Sequence, residues 1–475
     1  MSSRASRART NEIFAVVLAA GTCFAIAQTL VVPALPEITA RFETTPEATS
    51  WLFTGFLLSA AIATPIAGKL GDVYGKGRVL TSVLLIYLAG GIVCALAGSI
   101  GEMIGGRVLQ GVSGGVYPLA YATVKETFPP EKVPTGLSLV SVLVGFGGAL
   151  GLLLGGTIID NLGIPWLFWT SLLALPTAVA TMVLIPSTRA APGTTVDWRG
   201  AFLLSASLTC VLLAISRAND WGWTSAETLG LFVLGIVLAV VWLWSERHIE
   251  QPIIELRLLR KPTVLAVNLS AVLIGFSIYT GFLLIPQIAH APTDTGYGLG
   301  LSVTKAALVV LPLTGMQLGA GPLASYVGRR IGFRSTLIFG TGLISASLAL
   351  LAATNDELWG LLVSGAGVGI GIAFAFAGLA NLTVDAVPPG DVGIATGINT
   401  VARTVGSAFA AAVAAAILTS TLESSTGLPR GSGYTLTFAV GAAVALAAMV
   451  AAIRVPPRRL EKGTGGLVAI PQELP

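Results

Sequence analysis

Apolar residues run along this chain in blocks of about twenty, separated by short polar punctuation rich in glycine and proline. A helix of that length matches the hydrocarbon core of a bilayer. The blocks fall near residues 13–35, 50–70, 79–99, 103–124, 134–158, 165–185, 199–217, 227–245, 263–289, 303–327, 335–353, 357–381, 392–420 and 434–454, which predicts fourteen membrane-spanning helices. Strands are not expected, because period-two alternation is absent over these runs and lipid offers an open backbone no hydrogen-bond partner.

The basic positions orient the blocks, since Lys and Arg are retained on the cytoplasmic side of a membrane. With the N-terminus inside, 21 of the 27 Lys and Arg fall in cytoplasmic segments, from Arg4, Arg7 and Arg9 at one end to Arg454, Arg458, Arg459 and Lys462 at the other. The outer segments carry only Arg41, Arg217, Lys305 and Arg430, while Arg107 and Arg403 fall inside blocks. Residues 1–12 and 455–475 are therefore expected to be cytoplasmic. The first block is long and lacks a clear small-residue cleavage site, so it is expected to remain as a span.

Composition agrees. Of 475 residues, 54% are hydrophobic and 11% charged, against about 25% charged in soluble domains. The net charge of +4 then anchors the chain at a membrane surface and offers no nucleic-acid patch. Cys23, Cys94 and Cys210 all lie in apolar blocks as small fillers, so no disulfide or metal framework is implied. The run "GAGVGIGIAF" lies in an apolar block with no Lys or Ser/Thr after it, which argues against a phosphate-binding loop. With only His248 and His290 available, no nucleophile, base and orienting group stand out, and neither an enzyme nor a cofactor is expected.

An internal repeat divides the chain. "ETFPPEKVPTG" (Glu126 to Gly136) joins the fourth block to the fifth, and "DAVPPGDVGIATG" (Asp385 to Gly397) joins the twelfth to the thirteenth. "GKLGDVYGKG" similarly echoes "GPLASYVGRR" between the tenth and eleventh. Two six-helix halves, residues 13–190 and 251–454, are expected around an inserted pair at 191–250. The hairpin "GKLGDVYGKGRVL" sets glycines in a tight cytoplasmic turn. Asp72 could face the positive end of a helix in the other half, and Arg78 could pair with nearby carboxylates, forming a breakable latch. The alternative is a rigid turn whose charges only set topology.

These segments resemble the major facilitator superfamily. Gly68, Leu70, Asp72, Gly75, Gly77 and Arg78 follow the pattern of its signature loop, and "WLFTGFLLSAAIATPIAGKL" resembles the second helix of its fourteen-helix drug:proton antiporter branch. "GRVLQGVSGG" is similar to the fourth-helix motif, with Arg107, Gln110 and Gly111 in place. "GFGGALGLLLGG" resembles the glycine-rich fifth-helix motif of exporters, and "DWGWTS" and "PIIELRLLRKPT" look like the connectors flanking the eighth span. The resemblance covers nearly the whole chain. It departs in the first helix, where an Asp-x-Thr is usual and Ala27, Gln28 and Thr29 stand, so the usual first-helix proton carrier is missing. Leu152 replaces the usual fifth-helix proline, and Pro165 an arginine.

Gly147, Gly151, Gly155 and Gly156 offer a face that could slide against a helix of the other half or simply pack tightly. Arg107, with Gln110, could line a central cavity or tie backbone carbonyls together, and Arg403 is open to the same two readings. Gln28, Thr29, Tyr117, Asn268, Tyr279, Gln317, Asn381 and Asn399 complete a candidate lining, mostly apolar with scattered polar groups, that suits an amphiphilic organic molecule. The expectation is a monomeric exporter in the cell membrane, rocking two halves around a midplane site. Protons are its expected coupling ion, carried at the rim by Glu37 or Asp160 together with Arg107 or by the substrate. Differently coupled movement of a metabolite or lipid, or a non-transporting sensor, is the alternative.

Overall fold

In a computed structural model the chain is almost wholly α-helical, and residues 3–185, 196–249, 261–388, 391–423 and 428–455 are described. The boundaries drawn at 190 and 250, the "PIIELRLLR" part of the connector and most of the C-terminal tail lie outside them. Among the described residues, the only β-pairing is an isolated bridge between Leu422 and Pro429.

The first part of the chain forms α1 (Ser3–Thr29), α2 (Leu35–Arg41), α3 (Pro46–Tyr74), α4 (Lys76–Leu96), α5 (Ile100–Gly111), α6 (Val116–Thr127), α7 (Val133–Leu162), α8 (Ile164–Trp169) and α9 (Ala174–Leu184). A separate pair follows, α10 (Trp198–Trp221) and α11 (Ala226–Glu246). The remainder forms α12 (Pro262–His290), α13 (Val303–Leu308), α14 (Leu311–Ile331), α15 (Phe333–Ala353), α16 (Leu358–Ala386), α17 (Val392–Ser420) and α18 (Gly431–Ile453). Side-chain oxygens of Thr45, Ser99, Asp197 and Ser225 accept from the first-turn amides of α3, α5, α10 and α11, the usual chemistry of a helix start.

Among the described residues, eleven helical stretches are long and apolar enough to cross a membrane. Three of the fourteen predicted blocks fall outside that set. The block at 103–124 is two helices, α5 and α6, joined by a 3-10 turn at Val112–Gly115. Its glycines allow this segment to press on α3: a methyl group at Gly114 would strike the Ala60 backbone. The block at 303–327 is likewise split, into α13 and α14, with Pro312 starting the second helix. The block at 134–158 lies within the continuous helix α7.

Two hairpin turns hinge on a glycine that only a residue without Cβ fills easily, Gly75 (φ 93°) between α3 and α4 and Gly332 (φ 92°) between α14 and α15. The sequence echo aligns Gly75 with Gly328, so the structure moves the second turn on by four residues. Gly328 stays inside α14, where the Phe333 ring occupies the space a side chain would need.

Helices α1 to α9 pack around a core that includes Val17, Phe24, Phe56, Leu84 and Tyr117. Helices α12 to α18 pack around another that includes Ile274, Ile285, Leu313, Val368 and Phe438. The pair α10 and α11 leans on α3 and α17 through Ala201, Trp242 and Ile394. Between the two large groups, α3 and α6 meet α17, and α7 meets α14 and α16. Large apolar side chains of α11, among them Val233, Ile236, Val240 and Trp244, are exposed outward, as on a helix facing lipid.

Candidate functional site

Charge is scarce in the middle of these helices. Among the described residues, every Asp and Glu within a helix lies towards one of its ends, and the two mid-helix cations are Arg107 and Arg403. A charge at such depth normally faces protein or water and marks a functional position.

Arg107 is 1% exposed and tightly held. Its Nε donates to the Leu52 carbonyl at 2.8 Å, and Nη1 donates to the Ala27 carbonyl at 3.1 Å and to Gln110 Oε1 at 2.8 Å. The guanidinium lies over the Phe56 ring, 4.3 Å from its centroid, and Nη2 is buried without a partner. It borders a narrow crevice, lined also by Tyr87, Gln110, Phe168 and Thr170, too tight to hold a free water. This is the carbonyl-tying role, joining α5 to α1 and α3. Ala27, where the resembled branch carries a carboxylate, contributes only its backbone oxygen. Glu37 and Asp160 are both exposed and are not among the partners of Arg107.

Arg403 is different. It sits eleven residues into α17, so about 16 Å along its axis, and its guanidinium lies 4.6 Å from the centroid of Phe376 on α16. Its helix α17 packs against α6, which carries Tyr117 and Tyr121 and belongs to the other helix group. The Tyr117 hydroxyl donates to Gly21 O at 3.2 Å and its ring stands edge-on to Phe24, centroids 5.3 Å apart. Tyr121 is hydrogen-bonded to Ser141 at 2.8 Å. Arg403 therefore lies on the seam between the groups, and no described carboxylate pairs with it. Near it Asn399 donates to Asn268 at 3.2 Å. Gln28 and Tyr279 are half-buried and Gln317 is buried. Thr29 is used otherwise, its hydroxyl donating to the Gly148 carbonyl of α7.

The seam is closed at the end of the bundle that carries Lys76, Lys125, Lys261 and Arg329, here termed the basic end. Gly68 of α3 lies against Gly393 of α17 so closely that a methyl on Gly68 would sit 2.9 Å from the Gly393 carbonyl carbon. Arg329 donates to Thr135 at 2.6 Å, and Asn381 lies 3.5 Å from Ser138. Val264, Ala380, Val384 and Val392 of the later helices enter the apolar core of the earlier ones there. The ion pairing of the hairpin is corrected by the structure. Lys76, 5% exposed, bridges Asp72 at 3.3 Å and Glu126, whereas Arg78 points outward. The reason is helical: Lys76 is four residues after Asp72 and returns to the same face, while Arg78 is rotated off it. That spacing was readable, as was the step of four from Tyr117 to Tyr121.

The fifth-helix glycines face α1 within their own group, which corrects the expectation of a contact across the halves. Side chains at Gly147, Gly151 and Gly155 would collide with Ala25, with Thr29 and the Ile26 carbonyl, and with the Leu30 carbonyl. Gly156 is turned about 100° from Gly155 and has open space beside it. Among the described residues, no cluster of three or more His, Cys, Asp or Glu could hold a metal.

The fold and its seam define a multi-pass helical membrane protein. A family model described as Major Facilitator Superfamily matches residues 17–316 and 267–472, and the chain belongs to that family. The chain is 29% identical over 357 residues to an uncharacterised MFS-type transporter of Mycobacterium tuberculosis, covering 74% of this chain and 51% of that protein. It is also 28% identical over 331 residues to the tetracenomycin C resistance and export protein of Streptomyces glaucescens, covering 68% of this chain and 60% of that one. The chain thus spans about half to three fifths of the length of these relatives. In fold it is similar to the proton:xylose symporter XylE, with a TM-score of 0.63 and 16% identity over 95% of this chain and 97% of that one. It is similar also to the human organic anion transporter MFSD10, with a TM-score of 0.64 and 16% identity over 93% of this chain and 99% of that one.

Proposed function

We propose that the protein is a secondary active exporter of hydrophobic or amphipathic small molecules, drugs or antibiotics among them, working by alternating access across the cell membrane in exchange for protons. In this reading the chain has fourteen spans and acts as a monomer. Both termini and the basic end are cytoplasmic. Residues 13–190 and 251–454 form the two moving halves around the inserted pair at 191–250. The observation that carries it is the seam. Each helix group keeps its own apolar core, and the contacts that join them at the basic end are glycine against glycine, two side-chain hydrogen bonds and a shared apolar patch. Such contacts can be broken without unpacking either group. The hairpin of Gly68, Asp72 and Gly75 beside them then acts as the latch, with Lys76 bridging Asp72 and Glu126. The name of the Streptomyces relative, a resistance and export protein, supports export.

The test is flux in proteoliposomes with an imposed pH gradient. Substrate-dependent proton movement, reduced by Asp160→Asn or Glu37→Gln, supports coupling through the rim carboxylates. A second reading, transport of the same class of molecule without protons, is favoured by one observation: Arg107 is matched to carbonyls and the middle of the described helices holds no carboxylate. Substrate flux that proceeds at full rate with no proton movement selects it.

A further inference from the structure

The two mid-helix arginines are held in different ways: Arg107 is buried within one helix group, whereas Arg403 is only partly buried, on a helix that packs across the seam. A buried guanidinium without a partner is unfavourable unless an anion, a set of carbonyls or water compensates it. Arg107 has its carbonyls. Arg403 rests one face on the Phe376 ring, and no described carboxylate pairs with it. Stacking engages the flat face of a guanidinium and leaves its N–H fork at the edge, the geometry that grips a carboxylate or a similar planar anion at two points.

We propose that Arg403 is the recognition point for a negatively charged group on the transported molecule, so that the preferred substrates are amphipathic organic anions with an aromatic or flat apolar body. The proposal rests on the exporter reading and narrows its substrate class. Three further observations agree. The aromatic residues Tyr117, Phe24 and Tyr121 pack together in the core of the earlier group beside this seam, so an apolar body would meet a ring-rich layer once the seam opens. The middle of the described helices holds two cations and no carboxylate, so its field favours anions over cations. Finally, Arg403 belongs to the later helix group and the tyrosines to α6 of the earlier one, against which its helix packs, so one molecule lying between them touches both groups and biases the opening of the seam.

The experiment uses the full chain and three xanthene dyes of similar size: anionic carboxyfluorescein, a neutral dialkylated fluorescein and cationic rhodamine 6G. Binding is read by fluorescence anisotropy in detergent, and flux in phosphatidylcholine vesicles. The anion should bind at least roughly tenfold more tightly than the cation, and Arg403→Gln should weaken anion binding roughly 10- to 100-fold while leaving the neutral dye unchanged. Arg403→Lys should recover part of the anion affinity, keeping the charge but not the fork. Melting and elution of the two variants alongside the unmutated chain show that each is folded. Preference for the cation, or unchanged anion affinity in folded Arg403→Gln, overturns the proposal. If the dyes bind with the expected charge order but none crosses the membrane, the exporter reading fails while the Arg403 site stands. If they cross without charge preference, the site fails while the exporter reading stands.

Discussion

Arg107 and Arg403 share a residue type, a depth in the membrane and a neighbouring aromatic ring, yet their surroundings assign them different work. The first is enclosed within one helix group, its Nε and Nη1 satisfied by Leu52, Ala27 and Gln110 beside a crevice too tight for water. The second lies on a helix that packs across the seam against α3 and α6 of the other group, over the ring of Phe376. An arginine inside a rigid body serves as a clasp, whereas one on the seam is available to a ligand. Depth in the sequence pattern alone does not separate them.

The largest effect should come from breaking the clasp. Arg107→Ala leaves the Leu52 and Ala27 carbonyls and Gln110 unpaired in a dry interior, which should lower stability by about 3 kcal/mol. Thermal melting in detergent checks it, and Arg107→Lys should recover little because one ammonium cannot reach all three acceptors. A variant that melts like the unmutated protein would put Arg107 on the same footing as Arg403.

Next comes the packing that makes the earlier group a single body. Gly151→Val places a branched side chain against Thr29 and the Ile26 carbonyl and should destabilise by about 2 kcal/mol. Smaller in energy but larger in kinetics is the hairpin. Asp72→Asn removes the charge that Lys76 neutralises, away from the Arg403 seam, so turnover should fall roughly tenfold while substrate affinity changes less than about twofold. Equilibrium binding and initial flux rates separate the two. The smallest effect is expected at Gly156, which has open space beside it. Gly156→Ala should change stability by less than about 1 kcal/mol, and in the favourable direction through helix propensity. Equal losses at Gly151 and Gly156 would contradict the assignment of only one face to α1.

The helical architecture was legible because apolar blocks of span length leave few alternatives, and the glycine and proline punctuation fell close to the turns that Gly75 and Gly332 make. What was not legible follows from the same physics. A run of glycines shows that something approaches closely but not what, and the fifth-helix glycines turned out to accept α1 within their own group. Two basic residues in one short hairpin differ only by their angle around a helix, so Lys76 rather than Arg78 taking the ion pairs depends on where α4 begins. The identities of Arg107 and Arg403 were evident, but their partners come from helices far away in the chain, and one-dimensional spacing cannot supply them. Phe376 and Tyr121 were missed for that reason.

The central claim is that transport requires the basic end of the seam to open. It is tested most directly by locking that end: in a chain freed of Cys23, Cys94 and Cys210, cysteines replacing Thr135 and Arg329, which are hydrogen-bonded across the seam, are joined by a short reducible crosslinker. The account expects substrate flux in vesicles to stop on crosslinking and to return on reduction, with substrate binding retained throughout. Undiminished flux through fully crosslinked protein would contradict it.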